Sequence, residues 1–182
     1  MLTQFHEQAQ KAIVIAESIA FDLGHSHVGS EHLLLSLLKM KEIPLTKMLK
    51  TYHVDDDVIY KDIVRLFGKK DIQPFYMEYS EVVKKILEEA IRLTHERKES
   101  KVTINTLCLA LLLQRESVAV ELLNKYHVSF NQLKEKLSEK QSLLYELDKI
   151  HELINFNERV KNRKSFDDRK GTGVRTTFFN TL

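Results

Sequence analysis

The chain repeats itself. Displaced by 74 residues, the sequence aligns on itself without a gap: Phe5 falls on Tyr79, Ala16 on Ala90, Val28 on Val102 and Leu49 on Leu123. Leu33, Leu35, Leu37 and Leu38 fall on Leu107, Leu109, Leu111 and Leu112. From Phe5 to Leu66, 14 of 62 positions are identical. A run of leucines alone could match by chance. The triplet Tyr52-His53-Val54, recurring as Tyr126-His127-Val128 at the same offset, argues against chance. Repetition constrains a fold before any local propensity does. Two copies at this spacing predict a duplicated unit folding as a pseudo-symmetric pair, not a solenoid.

Each copy reads as four helices. Phe5, Ala9, Ala12, Ala16, Ile19 and Leu23 recur at alternating spacings of four and three, one face of a helix over about residues 3–23. Gly24 suits its end, because glycine accepts the left-handed conformation past a last turn. Ser30 reads as the N-cap of a second helix, with Glu31 in its positive first turn. Leu33 to Leu38 is apolar nearly all round, so this helix is expected to be central and buried. Pro44 suits the first turn of a short third helix, and Asp55 caps a fourth that ends before Gly68. In the second copy, Ser80, Thr103, Ser117 and Ser129 are the corresponding caps. With only 5 Gly and 2 Pro, tight turns are few, which disfavours a sheet protein.

The expected architecture is all-α: two tandem four-helix repeats related by pseudo-twofold symmetry, plus an extra C-terminal helix and a mobile tail. The expected division is a first repeat over 1–67, a linker over 68–78, a second repeat over 79–142, a helix over 143–160 and a basic tail over 161–182. No strand-based sheet is expected where the copies join.

The candidate chemistry is sparse. "GHSHVG" has Val28 where a nucleophile elbow needs its second glycine, and no strand precedes it. Ser26 therefore reads as a loop serine. His25, His27 and His32 cluster beside Glu31, but no paired cysteine or second histidine cluster completes a zinc site. His32 is expected to hold a loop by hydrogen bonding. The lone cysteine, Cys108, sits among leucines and reads as a core residue in a chain from the reducing cytoplasm. No phosphate-loop motif occurs. No metal, cofactor or catalytic residue is assigned, and no enzyme activity is expected.

No apolar run reaches the roughly 18 residues that cross a bilayer, and the amino-terminal stretch does not read as a secretory signal. The net charge of +2 is too small to argue for a polyanionic partner. The tail carries six basic residues against two acidic ones over 161–182, which leaves nonspecific nucleic-acid binding as the alternative function.

The two-copy plan, with "FHEQAQKAIVIAESIAFDLGHSHVGSEHLLLSLLK" in the first copy, resembles the amino-terminal repeat domain of Clp-family AAA+ unfoldases of the ClpC and ClpA type. The resemblance covers about residues 3–140, and Gly29-Ser30-Glu31-His32-Leu33-Leu34 is its most specific part. The 182 residues hold this domain without the ATPase modules, and 141–182 does not resemble the family's run into the first of them. The resemblance implies a non-catalytic helical domain that binds protein substrates, adaptor proteins or a Clp-type unfoldase. In the ClpC branch it implies recognition of phosphorylated arginine. Glu31 would then accept the guanidinium through paired hydrogen bonds. The helix starts at His6 and Ser80 would lie near the phosphate. The family often has threonine where this chain has His6. In the second copy Asn105 and Thr106 replace the glutamate and histidine, so the expected site is a weakened one built on Glu31 and His6.

Overall fold

The computed structural model describes residues 2–138, 150–151 and 153–156. The chain divides into two compact units, Met1–Glu139 and Lys140–Leu182. In the second unit the described residues are helical. They fall within the helix expected over 143–160, most of which, like the tail over 161–182, lies outside the described residues.

The first unit is the duplicated one. Its helices are α1 (Glu7–Asp22), α2 (Ser30–Lys39), α3 (Pro44–Leu49), α4 (Asp56–Phe67), α5 (Glu81–Glu96), α6 (Ile104–Leu113) and α7 (Val118–Lys125). A further helix, α8, covers residues 130–138. The starts of α5, α6, α7 and α8 each lie 74 residues beyond those of α1, α2, α3 and α4. The repeat read from sequence is thus a repeat of secondary structure. α2 and α6 are the central helices: Leu33–Leu35 and Leu107–Leu109, with their flanking apolar neighbours, are buried in one core drawn from both copies. Cys108 belongs to that core, and burial pushes its thiol well above the ordinary range.

Four of the six capping side chains expected from sequence make the cap bond. Asp55, Ser80, Thr103 and Ser117 each accept from the backbone N–H three residues on, at 2.9, 3.3, 3.2 and 3.3 Å. Ser30 does not cap α2. The cap position is Gly29, which the 74-residue offset pairs with Thr103. Ser30 instead reaches across the copies: its Oγ accepts from Ala119 N at 3.2 Å, in the first turn of α7. Ser30 is buried, so Ser30→Ala leaves that N–H without a partner or water. The expected cost is about 1–3 kcal/mol, read as a lower denaturant midpoint. A midpoint equal to wild type would show that the contact contributes nothing.

A second difference lies where the copies join. Sequence predicts no strand there, yet β1 (His27–Val28) and β2 (Glu78–Tyr79) pair in parallel, His27 with Glu78 and Val28 with Tyr79. Its symmetry mate is the parallel bridge of Phe5 with Val102. His6 N–H donates to Val102 O at 2.8 Å, and Ser80 N–H donates to Val28 O at 3.0 Å. Each copy's first helix is therefore entered beside the loop of the other copy. Two-residue strands are too short to announce themselves by alternation.

The recurring triplet has a structural purpose. Tyr52 donates from its hydroxyl to Gln132 Oε1 at 3.0 Å, on α8 of the other copy. Tyr126 donates likewise to Asp62 Oδ2 at 2.5 Å, on α4. His53 and His127 take the left-handed conformation at φ 57° and 54°, and the buried valines after them return their N–H groups to Leu49 and Leu123. Asp62 is buried and also accepts from Lys125 Nζ at 2.7 and 2.8 Å and from Arg65. Burial works to raise its pKa, but these hydrogen bonds outweigh it and hold the carboxyl below its ordinary value.

Candidate functional site

Gly29, Glu31 and His32 form the start of α2. His32 is 1 % exposed. Its Nδ1 accepts from Gly29 N–H at 2.8 Å, the return half of a capping box. A backbone N–H can only donate, so the neutral ring carries its proton on Nε2. That nitrogen lies 2.8 Å from His25 Nδ1 and donates to it. His25 then carries its proton on Nε2, which donates to Gly68 O at 2.9 Å. The two histidines thus tie the end of α1, the start of α2 and the end of α4 with every ring nitrogen engaged. The loop-holding role expected of His32 is what the geometry provides. Burial, and then the neighbouring His25, depress the His32 pKa to about 4.

Glu31 is 8 % exposed. Its carboxylate folds back over Gly29, where a Cβ would stand 2.2 Å from Oε1. A side chain at position 29 would require that carboxylate to move aside. Burial raises the Glu31 pKa, against the opposing pull of its own backbone N–H and of His25. Oε1 lies 3.2 Å from His32 Nδ1, and no lysine or arginine pairs with the carboxylate among the described residues. Glu31 is therefore a buried acid without a cation.

Ser80 is half-buried and caps α5, beside the β1 residues that lead into Glu31. His6 is exposed and precedes α1, with no side-chain cap bond, beside the Val102–Thr103 segment that leads into Asn105. Sequence grouped Glu31 with His6 because both lie in the first copy. The exchanged backbone pairing regroups them: Glu31 with Ser80, and His6 with Asn105. Asn105 is buried, and its Oδ1 meets no donor among the described residues. In this second copy Glu99 and Thr106 stand where His25 and His32 stand in the first, and Thr106 Oγ1 donates to Glu99 Oε2 at 3.5 Å. Sequence identified Asn105 as a replacement but missed its unpaired oxygen, which only the surrounding packing reveals.

Comparison with known proteins identifies the fold. The family model described as "Clp repeat (R) N-terminal domain" matches residues 4–74 and 78–162. The Bacillus subtilis (strain 168) protein "Negative regulator of genetic competence ClpC/MecB" is 29% identical over 137 residues, which is 75% of this chain and 17% of that protein. The "Chaperone protein ClpB" of Oceanobacillus iheyensis is 30% identical over 141 residues, again 75% of this chain and 17% of that protein. The chain thus spans about a sixth of the length of these relatives. Among solved structures, the N-terminal domain of the ClpD chaperone from Arabidopsis thaliana superposes with a TM-score of 0.64 at 18% identity, covering 78% of this chain and 99% of that one. The Hsp104 N-terminal domain from Candida albicans gives 0.65 at 18% identity, covering 76% and 91%. A "Complex of ClpV N-domain with VipB peptide" gives 0.56 at 22% identity, covering 73% and 84%. On the match of both copies, the chain belongs to the Clp repeat N-terminal domain family.

Proposed function

We propose that this chain is a non-catalytic protein-binding module that recognises substrates or adaptors of a Clp-type protease system, phosphoarginine-marked proteins among them. The binding unit is the pair of repeats, 1–67 and 79–142, joined by 68–78. The observation that carries the reading is Glu31, a buried carboxylate with a raised pKa and no basic partner among the described residues. Burying an acid without a counter-charge is costly, and a ligand guanidinium would offset that cost through paired hydrogen bonds. Ser80, on the adjoining helix start, would turn the α5 N-terminus toward the phosphate. His6 and Asn105 form the altered counterpart, where a neutral amide replaces the charge. That the ClpV N-domain is described in complex with a VipB peptide supports peptide capture as the mode. No helix among the described residues is long and apolar enough to cross a membrane. A cytoplasmic location follows from the proposed role, and the lone buried Cys108 supports it.

Glu31→Ala is expected to abolish binding of a phosphoarginine-bearing peptide while leaving the far-ultraviolet dichroism of the protein intact. Undiminished affinity in that titration would overturn the assignment of Glu31.

A further inference from the structure

The duplication supplies its own control for what the fold requires and what one copy has added. A cavity of about 370 Å³ opens between α1, β2 and the start of α5, lined by Glu17, Tyr76, Met77, Glu78, Tyr79 and Lys84. At the 74-residue offset, Glu17 corresponds to Ile91, Tyr76 to Leu2, Glu78 to Gln4, Tyr79 to Phe5 and Lys84 to Gln10. In that second setting Phe5 is fully buried, and Gln10 Nε2 donates to Leu2 O and Phe5 O at 2.9 and 2.8 Å. The fold is satisfied there with one aromatic ring, no carboxylate and a glutamine closing the gap. Both phenols and both acids of the cavity are absent from the corresponding positions of the other setting.

We propose that this cavity receives a lysine or arginine side chain presented by an extended stretch of a partner polypeptide. The lining is suited to a cation on two counts. Tyr76 and Tyr79 line it, and the faces of aromatic rings attract ammonium and guanidinium groups. Glu17 and Glu78 supply negative charge, and neither has a basic group within 4 Å among the described residues. The one basic lining residue, Lys84, is held by Glu81 at 2.7 Å and feels Glu78 only as a weaker, longer-range charge. The Tyr79 hydroxyl donates to Glu17 Oε1 and so orients the carboxylate. Burial, and then that bond, raise the Tyr79 pKa, which keeps the phenol a donor. The backbone suits an extended guest. Glu78 and Ser80 direct their N–H groups to the carbonyls of Ser26, just before β1, and of Val28 on it. The intervening Tyr79 amide, by the alternation of a strand, faces the other edge, where an added strand would pair. This inference rests on the protein-binding reading above but not on Glu31.

The test uses the full chain and short fluorescent peptides of extended sequence with arginine, lysine, citrulline or norleucine at the centre, read by anisotropy. The arginine or the lysine peptide is expected to bind at least about tenfold more tightly than its citrulline or norleucine counterpart, and the two basic arms show which cation is preferred. Glu17→Gln is expected to remove that preference. Tyr79→Phe keeps the ring but frees the carboxylate, and is expected to weaken binding less than Glu17→Gln. Equal binding of basic and neutral peptides, absence of binding by both basic peptides, or a normally helical Glu17→Gln protein with wild-type preference would each overturn the proposal. A phosphoarginine peptide sensitive to Glu31→Ala but indifferent to Glu17→Gln would keep the two sites distinct.

Discussion

Replacing Phe5 with alanine is expected to cost about 3–5 kcal/mol of stability. Phe5 is fully buried, and its backbone lies in the bridge to Val102 that joins the copies. Its ring is part of the common core, so its removal leaves a void there. Tyr79, its counterpart, is half-buried and opens onto the cavity, so Tyr79→Ala removes less apolar contact. Urea unfolding followed by dichroism measures both. The expected result is a large fall in midpoint for Phe5→Ala at unchanged slope, and a smaller fall for Tyr79→Ala. If the tyrosine variant loses as much as the phenylalanine variant, the two positions are energetically equivalent and the asymmetry argued above does not hold.

Acidification is expected to weaken the fold through His32. Its folded pKa, about 4, lies below the 6.5 of an unperturbed histidine. Between these values the unfolded chain binds a proton that the folded chain refuses, so stability is full above pH 6.5 and falls as the pH drops toward 4. Fully developed, the 2.5-unit difference amounts to about 3 kcal/mol, with roughly 2 kcal/mol of it lost by pH 5. Glu31 acts in the opposite sense. Its pKa is raised, so the folded state takes up a proton first, and acid relieves the burial of its charge above pH 4.5. Asp62 enters last, because its depressed pKa holds its contribution until the pH falls below the unfolded value of 3.8. His32→Gln separates these effects. Glutamine at this position still accepts from Gly29 N–H but cannot titrate. The variant is expected to lose markedly less stability than wild type between pH 7 and pH 5. Parallel losses in the two proteins would remove His32 as the cause.

Most of the architecture is legible in the sequence because its causes are local. The spacing of Ala9, Ala12, Ala16 and Ile19 makes a buried helical face whatever surrounds it, whereas Phe5, read as the start of that face, precedes α1 in the bridge to Val102. Asp55, Ser80, Thr103 and Ser117 cap helices because their oxygens reach a backbone N–H three residues away. The 74-residue register even held the correct cap of α2, since Thr103 maps onto Gly29. Ser30 was the more attractive residue only because serine is the better cap in isolation. Its hydroxyl is spent instead on Ala119, 89 residues distant, which no local rule reaches.

The amino-acid order alone therefore determined that two helical copies exist, within a turn where their helices begin, and that Glu31, His6 and Ser80 stand near helix starts. Tertiary structure decided which of these starts share a neighbourhood. The backbone hydrogen bonds of β1 with β2, and of Phe5 with Val102, run between copies, so each half completes the surroundings of the other. Partners chosen across such distances depend on how two surfaces dock, and docking is a property of the packed core rather than of any segment within it.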